Sequence, residues 1–93
     1  MWYFRRPWNE CRGDDYGGWG TSIWYFEVGD DCWGIRQVEE YANGYVLTYD
    51  DVHDDDEFGG LSHAPFDLQE FQPFAISAEE FENILKNVKP FNR

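Results

Sequence analysis

The sequence predicts an α+β fold: a small antiparallel β-meander of three to five strands with one C-terminal α-helix packed across it. Three observations carry this. Residues 23–28, 33–42 and 45–51 read as "IWYFEV", "WGIRQVEEYA" and "YVLTYDD", β-branched and aromatic runs separated by turn residues. Asn43-Gly44, between the second and third runs, is the strongest short hairpin signal. "ISAEEFENILKNV", residues 76–88, carries helix start and stop signals together. Ninety-three residues fit one domain, 1–93, with a modest core.

Taken in order, Trp2 and Phe4 alternate with Tyr3, which predicts a short strand ending near Pro7. "GDDYGGWG", 13–20, holds four glycines and reads as a loop. Its Trp19 makes it a candidate binding loop; the competing reading is a plain connector. In the meander, a two-residue type I′ turn at Asn43-Gly44 would set Ala42 opposite Tyr45, Glu40 opposite Leu47, Val38 opposite Tyr49 and Arg36 opposite Asp51. Trp24, Phe26, Trp33 and Ile35 then share one face, and Ile23, Tyr25, Val38 and Tyr49 the other. The helix covers one face, which leaves the other as a partly exposed aromatic surface. Residues 53–75 read as irregular, with one helical turn at "DLQEF", and Phe58, Leu61, Phe66, Leu68, Phe71 and Phe74 available to pin the segment over the sheet. In the helix near 78–88, Ser77 is the N-cap, Glu80 completes a capping box, and Ile76 and Phe81 form a staple. Phe81, Ile84, Leu85 and Val88 make its apolar stripe, and Pro90 ends it.

Charge bounds the function. Nineteen acidic residues face seven basic ones, a net charge of −12. Between residues 13 and 85 the only base among eighteen acids is Arg36. Phosphate contacts require cations, so direct nucleic-acid binding is not expected, nor is attachment to an anionic membrane. A basic protein or a cation is the natural partner, against the alternative that acidity serves solubility alone. The N-terminal "MWYFRRPWNE" has no apolar run of signal-peptide length, which predicts a cytoplasmic protein with Cys11 and Cys32 as free thiols. Positions 11, 32, 53 and 63 do not give the two Cys and two His a zinc-finger spacing.

The densest feature is "YDDVHDDDEFGG", residues 49–60. It places six carboxylates, Asp50, Asp51, Asp54, Asp55, Asp56 and Glu57, within eight positions. A calcium loop of the EF-hand kind needs Gly at its sixth position, where this run has Asp55 or Asp56. Paired carboxylates do acid–base work only when burial separates their pKa values, and an Asp run in a loop stays solvated. No nucleophile lies in a catalytic context, so the chain is not read as an enzyme, and no cofactor or resident metal is expected. Phe58 after the run reads as an anchor, with Gly59 and Gly60 letting the backbone turn or approach closely.

The order of these features resembles a family of small acidic bacterial domains. In that family an R-x-V-E strand precedes a glycine turn, and an EFGG segment and a terminal S-x-E-E-F helix follow. The matching residues are Ile35, Arg36, Val38, Glu39, Gly44, Glu57, Phe58, Gly59, Gly60, Ile76, Ser77, Glu79, Glu80 and Phe81. Some members are similar to immunity proteins of bacterial toxin systems. The resemblance therefore implies the fold above and a lean towards inhibition, and it implies no catalytic residues. The loop at 13–20 and the extra Asp run depart from the pattern and read as partner-specific.

Together these readings predict an acidic inhibitor or immunity-type protein, a monomer or weak dimer, that blocks a basic partner such as a nuclease toxin. Asp50, Asp51, Asp54, Asp55, Asp56 and Glu57 would steer the encounter, and Trp19, Trp33 and Phe58 would anchor the complex. The alternatives are a phage-encoded nucleic-acid mimic, a generic acidic interaction module, and a weak divalent-cation binder acting through 50–57.

Overall fold

The computed structural model describes residues 1–93 and is α+β. Four antiparallel strands, β1 (Trp2–Trp8), β2 (Ser22–Val28), β3 (Gly34–Tyr41) and β4 (Val46–Tyr49), lie in sequence order in one sheet. A two-residue hairpin follows, β5 (Asp55–Asp56) with β6 (Gly59–Gly60), then one turn of helix, α1 (Leu68–Phe71), and the C-terminal α2 (Ala78–Asn87). The strands form where β-branched and aromatic residues alternate. Pro7 is tolerated because β1 is an edge strand. Ser77 caps α2 by accepting the Glu80 N–H at 3.0 Å, and Asp67 caps α1 by accepting from Gln69 and Glu70.

The β3–β4 register differs by one residue from the expected pairing. Gln37 faces Tyr49, Val38 faces Thr48, Glu39 faces Leu47 and Glu40 faces Val46. A type I′ turn needs positive φ at both central residues, and only Gly44 has it, at 94°. The Gly44 N–H bonds back to the Tyr41 carbonyl, and the Tyr41 N–H to the Tyr45 carbonyl, each at 2.9 Å. This is a type I turn closed by a glycine bulge. Residues 19–21 hold it from outside, because the Trp19 and Thr21 carbonyls accept the Asn43 and Ala42 N–H groups.

A one-residue slip moves every β4 side chain to the opposite face. Tyr49 therefore leaves the Val38 face. Arg36 finds its partner in Glu27 on β2, not in Asp51. It chelates the buried Glu27 carboxylate at 2.6 and 2.9 Å, also pairs with Glu82 of α2, and lies 5.2 Å from the Phe81 ring centroid. The Arg36 hydrogen bonds hold the Glu27 carboxyl below its usual range, against the opposing effect of burial. One arginine thus ties β2, β3 and α2.

Both sheet faces are covered. On one, Tyr25, Val38 and Val46 pack with Phe81 beneath α2, ringed by Ile23, Ile84 and Leu85. The other is not left as an open aromatic surface, because residues 58–74 fold back over it. Phe4, Phe26 and Val28 meet Phe66, Leu68, Phe71 and Phe74, while Tyr41, Leu47 and Tyr49 lie under Trp19, Phe58 and Leu61. The β4 edge is covered as well, and the β1 edge in part. At β4 the Asn92 side-chain amide accepts the Thr48 N–H at 3.1 Å and donates to the Thr48 carbonyl at 3.0 Å, and the Phe91 N–H reaches the Val46 carbonyl. At β1 the Ile76 N–H bonds to the Tyr3 carbonyl and Ala75 bridges Phe4.

Candidate functional site

The acidic run is a built hairpin, not a loose loop. Asp50 opens it by accepting the Val52 and His53 N–H groups on one oxygen and Arg93 on the other, at 3.0, 2.8 and 3.1 Å. The His53 N–H first, with Val52 and Arg93 behind it, holds the Asp50 carboxyl below its usual range. Asp55 and Asp56 then pair with Gly60 and Gly59 across a turn made by Glu57 and Phe58. A Cβ on Gly60 would lie 2.7 Å from the Asp54 carbonyl oxygen, so the close pairing needs glycine there.

Asp56 is the hub of this hairpin. Its Oδ1 accepts the Tyr49 hydroxyl and the Phe58 N–H, each at 2.9 Å, and its Oδ2 lies 2.8 Å from both His53 Nε2 and Asn92 Nδ2. Burial alone would raise its pKa. The bonds from His53, Asn92, Phe58 and Tyr49 outweigh that and hold it at about 2. Burial and the Asp56 carboxylate together push the Tyr49 phenol well above its usual range.

The run therefore splits by role. Asp50 and Asp56 are engaged inside the molecule. Asp51, Asp54, Asp55 and Glu57 are exposed and make no ion pair. The anchors expected from the sequence divide too. Trp19 is half-buried, with the rings of Tyr16, Tyr41, Tyr45, Phe58 and Phe91 all centred within 5.8 Å of its own. Phe58 belongs to the same cluster, as the loop-pinning reading anticipated. Only Trp33, in the β2–β3 turn after Cys32 at φ 70°, presents its ring to solvent, at 45% exposure.

A second constellation escapes sequence reasoning. The β2–β3 register sets Trp24 opposite Glu39, and Glu39 lies on the sheet face beneath the hairpin, 3% exposed. Its oxygens accept the Tyr41 hydroxyl at 2.6 Å and Gln37 Nε2 at 2.7 Å. The Gln37 amide is fixed in turn by the Ser62 N–H and the Gly60 carbonyl. Burial pushes the Glu39 carboxyl up, with the Tyr41 and Gln37 bonds acting against it. Arg12 reaches in from the 9–21 connection. It donates to the Tyr41 hydroxyl at 3.3 Å and to the Phe58 carbonyl, and is chelated by Asp14 at 3.0 and 2.7 Å. Arg12 thereby fastens the acidic 10–15 loop to the acidic hairpin. These residues bound an open cleft of roughly 460 Å³, with Trp8 and Trp24 on one wall. The one legible sign was a charged residue at an inward-alternating strand position, and that sign depends on the register.

No three His, Cys, Asp or Glu side chains converge where an ion could be held. Cys11 and Cys32 are free. No helix is long and apolar enough to cross a membrane. Comparison with family models, with curated proteins and with solved structures finds no match to this chain.

Proposed function

We propose that this chain is an acidic inhibitor or immunity-type protein of the cytoplasm that binds and blocks a basic protein, a nuclease or toxin domain being the fitting class. The observation that supports the reading is rigid presentation of unpaired charge. Asp51, Asp54, Asp55 and Glu57 project from a hairpin whose backbone is held by Asp50, Asp56 and Arg12, with Glu10 and Asp14 beside it in the loop that Arg12 fastens. Fixed carboxylates steer a basic partner and lose little conformational entropy on binding, which favours this reading over that of a solvated loop. The likeness to immunity proteins inferred from the EFGG and S-x-E-E-F segments leans the same way.

The test is kinetic. The partner is captured from the source cell, produced alone, and its association measured across a salt series. Changing Asp51, Asp54 and Asp55 to Asn and Glu57 to Gln, with Asp56 untouched, should leave the melting temperature in place. It should slow association about tenfold or more and flatten the salt dependence. A neutral or acidic captured partner, or an unchanged association rate and salt slope, would refute the reading.

A further inference from the structure

The cleft over Glu39 is lined by Trp8, Trp24, Arg12 and Tyr41. Most of its donors are occupied. Every Arg12 nitrogen already donates, to Asp14, Tyr41 or Phe58; Trp24 Nε1 donates to Ser22 Oγ at 2.8 Å; and the Tyr41 hydroxyl donates to Glu39. An anion entering here would find only the second Arg12 Nη1 N–H and the Trp8 indole N–H unengaged among these side chains, beside carboxylates that repel it. Acceptors remain. Each Glu39 oxygen takes one protein hydrogen bond and keeps lone-pair capacity for another, and both existing donors are neutral. The Arg12 charge is matched by Asp14, so Glu39 and Glu10 are the charges the lining leaves uncompensated. A buried carboxylate with neutral partners only is an unfavourable arrangement that a cation would relieve.

The walls narrow the choice of cation. Trp8, 48% exposed, and Trp24 line both this cleft and a neighbouring apolar depression of roughly 220 Å³ bounded by Phe26, Phe71 and Arg6. Arg6 is turned away into its own contacts, 2.9 Å from Glu70 and over the Phe71 and Phe74 rings. The indoles thus offer faces for an alkyl stem and a planar cation, next to a carboxylate that can accept from it. We propose that this cleft receives an arginine side chain of the basic partner, its guanidinium bonded to Glu39 and stacked on Trp8 and Trp24. The arginine source rests on the function proposed above; the cation selectivity of the cleft does not.

The probe is N-acetyl-arginine amide, titrated into the ¹⁵N-labelled full chain, with the uncharged isostere N-acetyl-citrulline amide as control. The expected result is saturable movement of the Trp8 and Trp24 indole signals with arginine and none with citrulline. Glu39→Gln should weaken arginine binding at least fivefold. Since that change also disturbs the Gln37 and Tyr41 bonds, Trp8→Ala, on an exposed edge-strand ring, is the second variant and should weaken it likewise with the melting temperature kept. Equal response to citrulline, absence of saturation, or movement confined to residues 50–57 would overturn the proposal. In the complex with the captured partner, Trp8→Ala should raise the dissociation rate several-fold with little change in association. A cleft that ignores arginine while charge-steered partner binding persists refutes this inference alone. A cleft that binds arginine in a chain without a basic partner refutes the functional reading, and the partner's arginine with it.

Discussion

Asp56→Asn is the sharpest probe of the acidic hairpin. The change keeps size and one acceptor oxygen but removes the charge. With the amide oxygen at the Oδ1 position, the Tyr49 and Phe58 bonds survive. The new NH₂ then opposes Asn92 Nδ2, a donor, 2.8 Å away. The wild-type carboxyl is held at about 2, against an ordinary 3.8. At 1.36 kcal/mol per unit, that difference is roughly 2 kcal/mol of stability at neutral pH. The donor clash adds to it, so the variant should be about 2–3 kcal/mol less stable at pH 7. The native pKa is depressed, so this contribution is complete above the ordinary carboxyl pKa and fades as pH falls through the folded value. The gap between wild type and variant should accordingly close between about pH 4 and pH 2. Taking the difference cancels the parallel contributions of Asp14, Glu27 and Asp50, whose carboxyls are also held low. Urea unfolding followed by tryptophan fluorescence, repeated at each pH, measures it. A gap that stays constant down to pH 2, or a variant within about 0.5 kcal/mol of wild type at pH 7, would refute the hub assignment.

Arg36→Ala strands the Glu27 carboxylate, 5% exposed, without its cation, and should destabilise by about 3–5 kcal/mol in denaturant titration. Adding Glu27→Gln to that variant should recover part of the loss. Gly60→Ala forces a methyl against the Asp54 carbonyl and should lower stability by about 1–3 kcal/mol, with amide exchange accelerating in the 54–61 hairpin before the main sheet. Phe58→Ala removes a half-buried ring packed on Tyr16, Trp19 and Phe91 and should lower stability by about 2–3 kcal/mol. An unchanged melting temperature would instead assign that ring to a partner.

Elements were legible where local chemistry decides them. Ser77, Glu80 and the Phe81 stripe mark α2 without reference to anything distant, and the aromatic alternation marks β2. The hairpin register was not, because Asn43-Gly44 serves both a two-residue turn and a type I turn with a bulge. Hydrogen bonds from residues 42 and 43 to residues 19 and 21, remote in sequence, fix which one forms. The candidate site follows the same division. The carboxylate run is visible in the chain, but its separation into internal Asp50 and Asp56 and outward Asp51, Asp54, Asp55 and Glu57 depends on Tyr49 and His53 closing onto Asp56 and on Asn92 and Arg93 arriving from the C-terminus. Glu39 was hidden twice. Its face follows from strand pairing, and its cleft from Arg12 folding across.

The covered margins of the sheet determine how this domain can meet other molecules. An uncovered strand invites any extended chain to continue its ladder, with little regard for that chain's sequence. Here the Asn92 amide stands where a neighbouring peptide group would, and Ala75 and Ile76 occupy part of the opposite margin. A molecule meeting these covered positions would have to be recognised by side chains, whose identity can change without disturbing the framework. At β4 the same closure removes a ladder edge along which copies of this chain could join strand to strand.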